Sequence, residues 1–312
     1  MHKLARQGFF RWLFPKQSKK IQNKIEQKII YHPKSSWKDT MPDWLKPYRV
    51  TIKTDSGLEL EAYYKPPKTP KDLVWRAVHG NAGGLIDMAD LVEQGGLQNA
   101  DSGFFIYALP GFNHSKGPLT EEAMVESFLA GTHFLKTQNV PKSQQAIIAV
   151  SLGGAIATLA IAQESEAIED PIENPNNRLY AFLGIVHSLT SSDDAYDGFL
   201  DATQLPKKKF SPRGHLSQTF YADAAIAKLK VPIIGFFIGD KDTFLSPTMM
   251  KSQLHTFQKT RQPDQNIIVA HSNADHYAKQ ITTAYTHLIP YLEQLIKAFD
   301  KQHKSGVDPS SN

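Results

Sequence analysis

Apolar positions in this chain alternate between short continuous runs and longer stretches with helical spacing. Tyr48, Val50 and Ile52 alternate with polar residues, Asp55-Ser56-Gly57 supplies a turn, and Leu58, Leu60, Ala62 and Tyr64 alternate again. A period of two on either side of a turn predicts an antiparallel hairpin. The following runs are nearly unbroken: Leu73 to Val78, Phe104 to Leu109, Ala146 to Val150, Tyr180 to Val186, Val231 to Ile238 and Ile267 to Ala270. Continuous apolar runs of this length are the mark of strands covered on both faces. Helices are expected between them: from Ile86 to about Gln94, from Thr120 to Gln138, from the glycines after Ser151 to near Gln163, and from about Gln280 to Asp300. Thr120 followed by Glu121-Glu122 is a helix start with acids at the positive end of the dipole. Pro290, inside the last helix, predicts a kink. Strands alternating with helices in this way predict a parallel sheet with right-handed crossovers, whose sites gather at the carboxyl ends of the strands.

Three segments stand outside the alternation. Residues 1–45 begin with Phe9, Phe10, Trp12, Leu13 and Phe14 set among Lys3, Arg6, Arg11, Lys16, Lys19 and Lys20, and continue with Ile21, Ile25 and Ile29 on one helical face. Aromatic plus basic is a composition suited to a lipid–water interface, and it is equally able to dock on the body of the protein. Residues 188–220 form a long Ser-, Asp- and Lys-rich excursion with no clear element, read as an insertion or lid that chooses the substrate. Residues 301–312 are a polar tail, which leaves 46–300 as the main domain.

Composition narrows the classes. The 312 residues are 41% hydrophobic, ordinary for a chain that buries a real core, and the net charge of +4 makes no case for nucleic acid. The chain has no cysteine, which removes thiol nucleophiles, cysteine-ligated zinc and disulfides together. No apolar run reaches membrane-spanning length, and the N-terminus lacks the apolar core of a secretory signal. A cytoplasmic protein is expected, with peripheral membrane contact through residues 1–20.

Chemistry collects where the predicted strands end. Ala149-Val150-Ser151-Leu152-Gly153-Gly154 reads as strand, sharp turn and helix, with Ser151 at the bend. Such an elbow exposes the hydroxyl and aims the next backbone N–H, that of Leu152, at a substrate oxygen. His79-Gly80-Asn81-Ala82-Gly83-Gly84 carries neither the Walker lysine nor the dinucleotide glycine spacing. It reads as an oxyanion loop, in which the N–H of Asn81 meets the developing negative charge and His79 and Gly80 support it. In the loop from Pro110 to Gly117, His114 and Ser115 read as pocket lining. Gly239-Asp240-Lys241-Asp242 offers two carboxylates after one strand, and His271 and His276 offer two imidazoles after the next. An Asp-x-Asp without further acids argues against a metal, and no cofactor motif is present.

These motifs resemble the α/β-hydrolase fold and, more narrowly, ABHD-type serine hydrolases and their bacterial relatives. His79-Gly80-Asn81-Ala82-Gly83 is similar to H-G-N-A-G, Pro110 to Gly117 stands where the family has R-G-Y-G-x-S-x-G, and Ser151-Leu152-Gly153-Gly154 matches S-L-G-G. Gly239 to Asp242 matches G-x-x-D, and Asn273-Ala274-Asp275-His276 resembles G-A-x-H. Two positions depart from the pattern: Ala149 replaces the first elbow glycine, and the third loop lacks the arginine and second glycine. The resemblance implies an α/β fold with a mostly parallel central sheet of about eight strands, an antiparallel N-terminal hairpin and flanking helices. It also implies Asp242 rather than Asp240 as the acid and His276 as the base beside Ser151. The expected activity is hydrolysis of a small-molecule or lipid-linked acyl ester without a cofactor. The alternatives are a peptidase or amidase using the same residues, and a non-catalytic binding protein of the same fold.

Overall fold

The runs of buried apolar residues assemble into a single eight-stranded sheet. In chain order its strands are β1 (Arg49–Lys53), β2 (Glu59–Lys65), β3 (Val74–Val78), β4 (Gly103–Tyr107), β5 (Gln145–Val150), β6 (Phe182–Val186), β7 (Ile233–Gly239) and β8 (Asn266–Ser272). The order across the sheet is β1-β2-β4-β3-β5-β6-β7-β8. β1 pairs antiparallel with β2, β2 pairs antiparallel with β4, and every later pairing is parallel. The computed structural model describes residues 41–81, 83–167, 179–202, 204, 216, 218–276 and 285–305. The N-terminal arm to residue 40, most of 205–217 and the end of the tail lie outside the described residues, and so does the start expected for the last helix.

Every residue of β3 to β7 is buried, as their almost wholly apolar composition requires. β8 is the sheet edge, and its burial alternates between partial and exposed. The covering helices are α1 (Leu85–Gln94), α2 (Glu121–Thr137), α3 (Leu152–Glu166), α4 (Ser192–Ala202), α5 (Ala222–Ala225), α6 (Pro247–Thr260) and α7 (Ile289–Ser305). α2 opens as its sequence demands, with the Thr120 hydroxyl accepting the Ala123 N–H at 3.2 Å. α7 is tied to the sheet by Trp75, whose Nε1 donates to Glu293 Oε1 at 2.8 Å.

Two sequence expectations are corrected. The excursion after β6 contains a helix, α4, started by Ser191, whose hydroxyl accepts the Asp194 N–H at 3.1 Å. The signal was local: a serine followed three residues later by an acid is a capping pattern, and Asp193 and Asp194 lie in the first turn. Pro290 is not inside a continuous helix; it is the second residue of α7, directly after a 3₁₀ turn at Thr286–Leu288, where the chain enters the α-helix.

One buried charge shapes the face under α2. Arg76, in the middle of β3, is completely buried; its Nη1 donates to Thr132 Oγ1 at 2.8 Å and Gln145 Oε1 at 3.0 Å. Its Nη2 donates to the Phe128 carbonyl at 2.9 Å, and the guanidinium lies 4.2 Å over the Phe128 ring. Tyr180 completes the network by bridging Thr132 Oγ1 at 2.8 Å and Glu164 Oε2 at 2.6 Å. Arg76→Ala leaves several buried acceptors without donors and is expected to cost about 3 kcal/mol, whereas Arg76→Met, which fills the volume, costs less. Urea unfolding of the two variants beside the wild type measures both values.

Candidate active site

Ser151 ends β5 and begins α3 with φ 55° and ψ −119°. This is a conformation side chains rarely adopt, and the surroundings impose it. The Ser151 N–H donates to the Val186 carbonyl at 2.8 Å, which fastens the bend to the end of β6. The two elbow glycines are required by close packing, against backbone at Gly153 and against the Ser188 side chain at Gly154. A Cβ on Gly153 would lie 2.5 Å from the Val78 carbonyl oxygen, and one on Gly154 would lie 2.5 Å from Ser188 Oγ. Ala149 is accommodated in place of glycine and is fully buried.

The glycine-rich loop after β3 reaches the same place. A Cβ on Gly80 would lie 2.9 Å from Ser151 Cβ and 3.4 Å from its Oγ, so this backbone passes directly beside the hydroxyl. His79 is completely buried and locks the loop. Its Nε2 accepts the Leu109 N–H at 3.0 Å, so Nδ1 carries the proton and donates to the Gly80 carbonyl at 2.8 Å. Burial pushes this imidazole down to about 4, which keeps it neutral and makes it a brace between the ends of β3 and β4. The N–H of Leu152 belongs to the first turn of α3, where N–H groups have no intrahelical acceptor.

An imidazole and a carboxylate arrive from β8 and β7. Ser151 Oγ lies 3.0 Å from His276 Nε2, and His276 Nδ1 lies 2.7 Å from Asp242 Oδ2. The second carboxylate oxygen accepts the N–H groups of Phe244 at 3.0 Å and Leu245 at 2.7 Å. Burial works to raise the Asp242 carboxyl, but hydrogen bonds from His187 and His276, with the Leu245 N–H, outweigh it and hold the group at about 2. The rival residues pair with each other instead: His271 Nδ1 meets Asp240 Oδ1 at 3.0 Å, with both side chains nearly half exposed. A small apolar cavity lined by Leu91, Val150, Val186, Tyr285 and Ile289 adjoins the ends of β5 and β6.

One expectation for the third loop changes. Ser115 does not line a pocket; it is buried, donating to the Ala108 carbonyl at 2.7 Å and accepting the Glu61 N–H at 2.9 Å, a clasp between β2 and β4. His114 is exposed. Sequence reasoning also missed His187, whose Nδ1 lies 3.0 Å from the same Asp242 Oδ2 that His276 contacts. Its signal was present, since His187 directly follows the apolar run of β6 just as His79 and Ser151 directly follow theirs. Among the described residues, His187, Asp242 and His276 bring ligand-type atoms within 4.8 Å of one another, and hydrogen bonds to the carboxylate account for that closeness.

The strand order, the antiparallel start and the elbow define the α/β-hydrolase fold. The chain is similar to an esterase from Pyrococcus furiosus, Pf2001, at 16% identity and a TM-score of 0.59, over 85% of this chain and 94% of that one. It is also similar to DcsB, solved with its substrate analogue, at 11% identity and a TM-score of 0.55, over 83% of this chain and 99% of that one. A prolyl endopeptidase aligns at 14% identity and a TM-score of 0.54, over 81% of this chain and 38% of its own. Residues 88–173, from within α1 to beyond α3, match the family model described as Chlamydia CHLPS protein (DUF818). None of the curated proteins compared matches the chain. No helix among the described residues is long and apolar enough to cross a membrane.

The depressed Asp242 carboxyl makes a prediction about acid stability. Its folded value of about 2 lies below the ordinary 3.8, so its contribution is complete at neutral pH and is lost as pH falls through the folded value. Urea unfolding at stepped pH is expected to show a steeper loss for the wild type than for Asp242→Asn between about pH 4 and pH 2.

Proposed function

We propose that the protein is a serine hydrolase that cleaves acyl esters through an acyl-enzyme. The observation carrying this reading is the unbroken hydrogen-bonded chain from Ser151 Oγ through His276 to Asp242, at the carboxyl ends of neighbouring strands. In this reading Ser151 Oγ attacks the carbonyl carbon while His276 Nε2 takes its proton. The N–H groups of Asn81 and Leu152 stabilise the oxyanion, each by about 3 kcal/mol of barrier. Collapse expels the alcohol, which leaves with the proton held on His276. Water then attacks the acyl-enzyme with the same histidine as base, releasing the acid and restoring Ser151. Asp242 holds the Nδ1–H tautomer and stabilises the imidazolium. Esters are favoured over amides because an alkoxide leaves with less help from the acid than an amine does.

The reaction is tested by labelling with a fluorophosphonate and by a panel of p-nitrophenyl esters of increasing chain length. The wild type is expected to label and hydrolyse, and Ser151→Ala to lose labelling and at least about 10⁴-fold in kcat/KM. A wild type that does not label, or an alanine variant that labels equally, overturns the reading. An anilide of the same acyl group, run alongside, separates esterase from amidase.

We also propose that the substrate is lipid-linked and that the basic aromatic segment 1–20 brings the protein to it at an anionic surface. Cosedimentation with vesicles containing phosphatidylserine is expected for the full chain and to be lost on deleting those residues. Equal binding by the two rules the segment out.

A further inference from the structure

His187 is buried, has positive φ and is placed in the molecule at some structural expense. It follows β6 with φ 45°, and its side chain is completely shielded from solvent. The close approach of its ring makes glycine necessary at the end of β7, because a Cβ on Gly239 would overlap His187 Cε1 and crowd its Nε2. A buried polar ring held this way must satisfy both nitrogens. Nδ1 lies 3.0 Å from Asp242 Oδ2, and Nε2 lies 3.2 Å from Tyr285 Oη. Tyr285 Oη lies 2.8 Å from Ser272 Oγ, which itself accepts the Ala274 N–H at 3.2 Å.

We propose that His187 is a positioning residue for the candidate acid, a second imidazole that fixes the Asp242 carboxylate and, through Tyr285 and Ser272, couples it to the loop carrying His276. The proposal rests on the reading of Ser151, His276 and Asp242 as a triad. The donor directions are mutually consistent. Asp242 is ionised and only accepts, so both His187 Nδ1 and His276 Nδ1 donate to it. His187 Nε2 is then an acceptor and takes the Tyr285 O–H proton, which leaves the tyrosine oxygen to accept from the Ser272 hydroxyl. Burial pushes the Tyr285 hydroxyl up to about 12, so it stays neutral and keeps the proton it donates to His187 Nε2.

Two consequences follow for the carboxylate. With two backbone N–H groups on Oδ1 and two imidazoles on Oδ2, it has a donor on every side and one orientation available. Because the imidazoles share one oxygen, each weakens the other's hold on it, so His187 also tunes how strongly Asp242 binds the His276 proton. His187 is not a second base. Ser151 Oγ bonds to His276, the two imidazole centroids are 6.2 Å apart, and both His187 nitrogens face partners other than the serine.

The test compares the wild type, His187→Ala and His187→Asn as full-length chains on p-nitrophenyl butyrate, with thermal unfolding of each as the control for folding. Asparagine tolerates the positive φ and places an amide N–H near where Nδ1–H stands; alanine supplies no donor. His187→Ala is expected to lose about 10- to 100-fold in kcat with KM changed less than about twofold, and His187→Asn to recover most of that loss. A loss confined to KM, equal loss in both folded variants, or no loss in either overturns the proposal.

Proton NMR of the downfield imidazole region supplies a readout independent of turnover. Two hydrogen-bonded Nδ1–H signals are expected in the wild type; His187→Asn removes one and shifts the other, because the two protons share Oδ2. A remaining signal that does not move overturns the proposal. A wild type showing both signals but taking no fluorophosphonate refutes the triad reading alone, leaving the shared carboxylate standing.

Discussion

The constraint on which the site depends is the backbone of Ser151. A non-glycine residue at φ 55° and ψ −119° costs about 1–3 kcal/mol, and only surrounding structure keeps it there. Here the surroundings are backbone packed on backbone. The end of β6 accepts the Ser151 N–H, the end of β3 presses against Gly153, and Gly80 passes beside the serine itself. The last two approaches are possible because a side chain is missing on one partner. The strain and the glycines are therefore one feature: the elbow stays sharp because its neighbours come close enough to hold it.

From this fixed point the site extends across three neighbouring strand ends, β5, β6 and β7, to the edge strand β8. Hydrogen bonding and exposure separate the residues that converge on the serine from those that resemble them in sequence. Asp242 is buried and receives two backbone N–H groups, so its charge is stabilised without water. Asp240, two residues earlier, faces solvent and meets His271, a pairing of exposed groups that contributes little. His79 and His187 occupy equivalent positions after β3 and β6 but have different partners. The first bridges two backbone segments as a neutral brace, and the second contacts the carboxylate.

Local chemistry made much of this legible. The continuous runs of β3 to β7 identify buried strands because only strands covered on both faces lack polar alternation. The Ser151 elbow is readable because the serine and its two glycines are contiguous. Other features were harder to read. The α4 helix carries its few apolar residues among several aspartates, and its start is marked by the Ser191 cap with Asp193 and Asp194 in the first turn. Ser115 looks like a loop serine and is a buried clasp, since its partners, Glu61 and Ala108, come from two different strands.

By itself the sequence determined the strands, the serine turn after β5, the glycine-rich loop after β3 and the set of acids and histidines available at the strand ends, because each depends on residues within one short window. The motif resemblance pointed to Asp242 and His276, but only the tertiary structure decided that His276 meets Ser151, that Asp242 meets His276, and that a second imidazole shares the carboxylate. Residues 151, 187, 242 and 276 lie far apart in the chain, and the parallel pairing of β5 through β8 brings them together. The spacing between Asp240 and Asp242 carries no information about which will be buried. That is settled by how the loop after β7 turns, with its Phe244 and Leu245 N–H groups pointing at one carboxylate.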